Sequence, residues 1–156
     1  AGINHAVGIV RLLELVDLDF FIVAMPYTLL DQGVLDDEFP RCQERGVGVV
    51  IGSPFASGIL ATGPVPGAKY GYAPAPPEVM EKTRRIEAVC GRHGVPLAAA
   101  ALRFPLAHPI VAAVIPGGFR PEHPRQNLAA FRCDIPAALW AELKAEKLVR
   151  ADAPTP

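Results

Sequence analysis

Apolar residues fall along this chain in short unbroken runs separated by amphipathic stretches. Phe20 to Met25, Val47 to Ile51 and Ile110 to Ile115 are nearly free of polar side chains and rich in Val and Ile. Runs that short, apolar without alternation, predict strands of a parallel sheet buried on both faces. Ala1-Gly-Ile-Asn4 reads as the tail of one more strand.

Helical spacing fills the gaps. Val7, Val10, Leu13, Leu15 and Val16 form a stripe that Asn4 is placed to cap. Residues 34–45 predict a second helix, with Asp36, Asp37 and Glu38 at its positive end and Arg41 and Arg45 at its negative end. Pro40 inside that span requires a kink or a later start. Glu78 to Arg92 carries Val79, Thr83, Ile86 and Cys90 on one face and stops at Gly94. Further helices are expected over Pro96 to Leu102, from near Pro121, and over Pro136 to Lys147, the last with Leu139, Trp140 and Leu143 inward. Residues 62–77, rich in Gly, Pro, Tyr and Ala, lack any period and predict a long loop or lid, and no Asn-Gly hairpin signal occurs. Strand and helix thus alternate in the order of a parallel α/β protein, with four strands of which the first is incomplete.

Composition narrows the partners. The 156 residues suffice for one domain with a core, expected over 1–150, with 151–156 a flexible tail. A net charge of −1 gives no electrostatic attraction to nucleic acid or to an anionic membrane surface. Cys42, Cys90 and Cys133 form no C-x-x-C pair and have no zinc-type spacing to His, so they read as buried hydrophobes in a reducing compartment, with no metal site. The richest apolar stretch, 97–115, is interrupted by Arg103, Pro105, His108 and Pro109 and cannot span a membrane. No signal peptide precedes the first helix, which makes cytoplasm the expected location. The opening in mid-strand without Met suggests that the left edge is a cut.

The chemistry concentrates after the strand at 47–51. Ser53, Ser57 and Gly58 place hydroxyls and bare backbone N–H groups at its carboxyl end, where parallel α/β sheets bind ligands and where a phosphate is readily held. Elsewhere the blander readings hold. His93 sits at a helix end that favours a cation, His108 lies in a Pro-flanked turn, and Trp140 and Phe131 are packing residues.

Four ordered motifs extend this reading. Gly2-Ile-Asn4, Tyr27-Thr-Leu-Leu-Asp-Gln32, Gly52-Ser-Pro-Phe-Ala-Ser-Gly-Ile-Leu60, and Ile115-Pro-Gly-Gly118 with Gln126-Asn127 resemble the carboxyl half of an aldo-keto reductase. Within that superfamily the likeness is nearest to the aldose, fucose and pyridoxal dehydrogenases. The resemblance implies the C-terminal half of a (β/α)8 barrel, strands five to eight with their helices, binding NAD or NADP across its C-terminal face. It implies Asn4 near the nicotinamide carboxamide and Ser53, Pro54, Phe55, Ser57, Gly58 and Ile59 around the pyrophosphate. Gly117, Gly118, Phe119, Arg120 and His123 would face the adenosine phosphate or ribose, and Gln126 and Asn127 the adenine. His5, Tyr27 and Tyr70, with Tyr72, would face a sugar or aldehyde substrate. The family's reactive Asp, Tyr, Lys and His belong to strands two to four, so no catalytic residue is expected here, and Tyr27, Tyr70, Lys69 and Asp31 fall on the wrong loops to replace them. Gly52 stands where many members carry a nicotinamide-stacking aromatic, and His123 where NADP-preferring members carry Arg. A second reading makes the chain a non-catalytic half-barrel assembly module, pairing with itself or a partner through open edges at Ala1–Asn4 and Ile110–Ile115.

Overall fold

Four of the predicted apolar segments pair side by side and all run in one direction. The structure, a computed structural model, describes all 156 residues. Its elements are β1 (Gly2–Ile3), α1 (Val7–Leu15), β2 (Phe20–Val23), α2 (Glu38–Glu44), β3 (Gly48–Ile51), α3 (Ile59–Thr62), β4 (Lys69–Tyr70), β5 (Ala73–Pro74), α4 (Pro77–Arg92), α5 (Leu97–Arg103), β6 (Val111–Val114), α6 (Glu122–Phe131) and α7 (Ala137–Ala145). The main sheet has the order β1-β2-β3-β6 and every pairing is parallel. Phe20 to Val23 lie opposite Gly48 to Ile51, and a bulge shifts the β3–β6 register between Val49 and Val50. The fold class is α/β, as expected.

Burial of the strands departs from expectation. Phe21, Val23, Val49 and Ile51 are wholly buried, whereas Phe20 and Ile22 are 49% and 38% exposed. The cause is topological: strands laid down in monotonic order by right-handed crossovers receive all their helices on one face. The other face is apolar and uncovered within this chain.

Helix boundaries follow local chemistry. α2 starts only at Glu38, so Pro40 falls in the first turn, where its missing N–H costs no helical bond. Ala6, without a side-chain hydrogen bond, occupies the N-cap of α1, and Asn4 does not cap it. α4 opens with Pro77 and is stopped at His93 and Gly94, whose φ of +67° suits glycine. Leu139, Trp140 and Leu143 of α7 are buried as the pattern predicted.

Behind the sheet, Tyr27 stacks at ring-centroid distances of 5.0, 5.2 and 5.6 Å on Phe39, Phe104 and His108. Its hydroxyl and the Trp140 Nε1 are buried without hydrogen-bond partners. Burial, reinforced by Asp152, pushes the phenol pKa far up. Burial likewise lifts the Cys42 and Cys90 thiols to about 11 and keeps them protonated. All three cysteines are free. No helix is long and apolar enough to cross a membrane.

The closing segment, read as a flexible tail, is anchored. Ala153 is buried, and Arg150 bonds Asp152 at 2.9 Å and Asp36 at 2.5 Å. α4 and α7 are clasped by Glu142, which accepts from His93 Nε2 at 2.5 Å and from Arg92 Nη2 at 2.7 Å. Those two partners, His93 first, hold the Glu142 carboxyl below the ordinary value.

Two outcomes follow from this layer. Tyr27→Phe removes a buried hydroxyl with no partner and raises stability by about 1–3 kcal/mol, read from the urea midpoint; a loss would mean the hydroxyl is satisfied. Because the folded Glu142 pKa is depressed, its contribution is complete above the unfolded value of ~4.3 and vanishes as pH falls through the folded one. Melting curves of the native chain and Glu142→Gln should therefore differ at pH 7 and converge in acid; a constant offset would contradict the assignment.

Candidate functional site

The carboxyl ends of the four parallel strands point to one rim, and the loops leaving them carry most of the residues expected to bind. The turn after β3 is the most constrained. Gly52 leaves the strand pressed on its neighbour, since a Cβ there would lie 3.2 Å from Ile22 Cγ2. The Ala56 N–H donates to the Ser53 carbonyl at 3.0 Å, and the Gly58 and Leu60 N–H groups both donate to Phe55, at 2.9 and 3.1 Å. Ala56, Ser57 and Gly58 then take φ values of +46°, +62° and +102° in succession. Left-handed backbone at a non-glycine residue costs about 1–3 kcal/mol and persists only where surroundings enforce it.

Ser57 shows what enforces it. Its Oγ donates to Met25 Sδ at 3.7 Å and accepts the Tyr72 N–H at 3.3 Å. Met25 and Tyr72 are themselves left-handed, with φ of +79° and +66°. One hydroxyl therefore ties three strained segments together: the turn after β3, the end of β2, and the lid. That lid is not featureless. β4 and β5 pair antiparallel with Tyr70 opposite Ala73, leaving Gly71 and Tyr72 as a two-residue loop with both φ positive, the geometry of a type I′ hairpin. Met25 and Tyr72 were missed by sequence reasoning as parts of this knot. Gly71 was the only trace of the turn, because Tyr is a rare occupant of its second position.

The lid base carries charge. Lys82 donates to the Leu30 carbonyl at 3.0 Å, and desolvation pulls its pKa down against the opposing Asp31. Tyr70, half-buried, is pushed up by desolvation and then by the same Asp31. The preceding loop is fixed from inside, where Gln32 Nε2 donates to the Thr28 carbonyl at 2.6 Å and both side chains are buried.

The turn after β6 is organised by α6. The Phe119 N–H donates to His123 Nδ1 at 3.3 Å, and Asn127 Nδ2 donates to the Gly117 carbonyl at 3.4 Å. A Cβ on Gly118 would stand 3.0 Å from His123 Cβ, so turn and helix approach closely there and a larger residue would have to push His123 aside. Phe119 is 84% exposed, with the His123 ring edge-on at 4.7 Å and the Arg120 guanidinium 5.4 Å from its centre.

Phe55 and Ala61 from the β3 side and Gln126 and Asn127 from α6 line one groove of about 570 Å3. Of the residues expected to bind cofactor, Phe55, Gln126 and Asn127 line this groove. Asn4 and His5 lie apart at the sheet edge, both exposed. Tyr27, expected to face substrate, is corrected: it is wholly buried in the aromatic cluster behind the sheet. It follows β2 closely in sequence, but its apolar ring is drawn into the helix layer.

The Aldo/keto reductase family matches residues 4–146. A D-threo-aldose 1-dehydrogenase from Pseudomonas sp is 40% identical over 99% of this chain and 49% of its own length. A pyridoxal 4-dehydrogenase from Microbacterium luteolum is 42% identical over 95% of this chain and 43% of its own. The chain thus spans about half the length of these curated relatives. Among solved structures, an aldo-keto reductase from Bacillus halodurans in its apo form superposes with a TM-score of 0.71 and 25% identity, covering 97% of this chain and 50% of that one. With the strained rim of a parallel sheet and a match across nearly all its residues, this chain belongs to the aldo/keto reductase family.

Proposed function

We propose that this chain is the cofactor-binding, C-terminal half of a (β/α)8 oxidoreductase that binds NAD or NADP and acts on an aldose or another small carbonyl or alcohol. The observation that supports this reading is the groove that Phe55, from the turn after β3, shares with Gln126 and Asn127 of α6. The names of the relatives supply the substrate class.

The residues present fit such a ligand. Gly118 lets the turn after β6 pack closely on His123, and Arg120 offers a cation beside the exposed Phe119 ring. Ser53, Pro54, Phe55, Ser57, Gly58 and Ile59 would hold the pyrophosphate; Gly117, Gly118, Phe119, Arg120 and His123 the adenosine phosphate or ribose; Gln126 and Asn127 the adenine; and Asn4 the carboxamide. The Ser57 hydroxyl already serves Met25 and Tyr72, so its part is to hold the turn and the lid in register. His5 and Tyr70 would border the substrate, with Tyr72 on the lid. Bound nicotinamide would supply or accept a hydride at the substrate carbon. The acid/base group that moves the accompanying proton is assigned to the part of the relatives outside this match. Lys82 and Asp31 are engaged with the backbone of the loop after β2, at Leu30 and Gly33.

Calorimetric titration with NADH and NADPH, beside an assay of L-fucose oxidation, tests this. Binding without turnover is the expected result, and Gly118→Val should weaken it by at least about tenfold, or about 1.4 kcal/mol. Turnover by the isolated chain would overturn the assignment of proton transfer elsewhere. Absence of binding in a folded sample would remove the cofactor role.

A further inference from the structure

The lid hairpin holds an aromatic side chain on a strained piece of backbone. Gly71 and Tyr72 form the two-residue turn between β4 and β5, with φ of +59° and +66°. Glycine or asparagine takes such positions freely, whereas a tyrosine there is strained. Its ring does not repay that strain by packing in the core, since Tyr72 is 76% exposed. The residue is tied to the rim through its N–H, which donates to Ser57 Oγ at 3.3 Å.

That tie fixes where the side chain starts. Ser57 belongs to the turn after β3, and its hydroxyl also meets Met25 Sδ, at the end of β2, at 3.7 Å. The hairpin tip is therefore anchored over the carboxyl ends of two adjacent strands, paired from Phe20 and Gly48 to Val23 and Ile51. Those strand ends offer no ring of their own. Gly52 has no side chain, and a Cβ there would press on Ile22 Cγ2 at 3.2 Å. Tyr27, after β2, is wholly buried in the helix layer.

Resting on the cofactor role proposed above, we infer that the Tyr72 ring packs against the nicotinamide end of the bound dinucleotide. The proposed contacts order that ligand along the sheet, with adenine at α6 after β6, pyrophosphate after β3, and carboxamide at Asn4 after β1. Its nicotinamide half then crosses the ends of β3 and β2, where the Ser57–Met25 contact anchors the hairpin tip. A planar heteroaromatic ring offers a face that a tyrosine ring covers well, removing apolar area of both from water. The strained turn aims at the ligand a side chain that the strands beneath it do not carry.

Acetylation of tyrosine by N-acetylimidazole, mapped by peptide mass spectrometry, tests the contact in the native chain. NADH should protect Tyr72, whereas AMP, which ends at the first phosphate, should leave it reactive. In calorimetric titrations Tyr72→Gly, which suits the positive φ, should weaken NADH binding by about tenfold and leave AMP binding unchanged. Tyr72→Phe, which keeps the ring, should bind NADH as the native chain does. A purely structural role for Tyr72 would give the reverse order, with glycine the better tolerated. Far-UV circular dichroism verifies folding of each variant, and protection in the native chain decides the case if a variant fails to fold. Unchanged NADH affinity in Tyr72→Gly, or an unprotected Tyr72 in a chain that binds NADH, would overturn the contact and leave the cofactor role standing. A folded native chain that binds neither NADH nor AMP would remove the cofactor role and the contact with it.

Discussion

A parallel ladder cannot be closed by a hairpin; each strand must be followed by a crossover that carries the chain back before the next can pair. Here β1, β2, β3 and β6 are laid down in order, and same-handed crossovers stack every helix on one side. Three features descend from that constraint. The core lies in a single layer between sheet and helices, where Phe21, Val23, Val49 and Ile51 meet Phe39, Ile86 and Leu102. The opposite face is left apolar and bare. All loops that follow strands emerge at one rim, which is why residues as distant as Phe55 and Asn127 line one groove.

Stability and chemistry are divided accordingly. The helix layer holds the dense aromatic cluster and tolerates two unpartnered polar atoms, the Tyr27 hydroxyl and the Trp140 indole N–H, because packing outweighs them. The rim carries strain in place of density. Met25, Ala56, Ser57 and Tyr72 all hold positive φ, and the Ser57 hydroxyl touches the segments that contain the other three. Strain gathered around one hydrogen-bonding group persists because the surrounding contacts enforce it.

Much of this was legible in the sequence. The apolar runs at 20–25, 47–51 and 110–115 gave the strands, and the 3.6-residue stripe at Val79, Thr83, Ile86 and Cys90 gave the longest helix, because period and length leave few alternatives. What escaped was decided by tertiary context. Two-sided apolarity is a statement about the environment a strand is suited to, and this chain covers only one side. The hairpin at 69–74 was hidden because Tyr72 adopts a conformation that its side chain disfavours. Tyr27 was legible as part of a motif but its direction was not, since a residue shortly after a strand end can turn to the rim or to the helix layer, and its neighbours Phe39 and Phe104 settled that.

The rim is not uniformly determined, and the gradient follows the ladder. The turn after β6 is fixed by side chains of α6, and the turn after β3 by the inner strands on either side. Asn4 leaves β1, two residues long and bonded only to β2, through the Ile22 N–H to the Ala1 carbonyl at 2.7 Å and the Ala24 N–H to the Ile3 carbonyl at 2.8 Å. A residue at the end of so short an edge strand has one wall where its counterparts after β2 and β3 have two. The segment proposed to meet the nicotinamide is therefore the one whose geometry depends on whatever pairs along the free side of β1. Within the sheet, Asn4 is thus positioned from one side only, through β2.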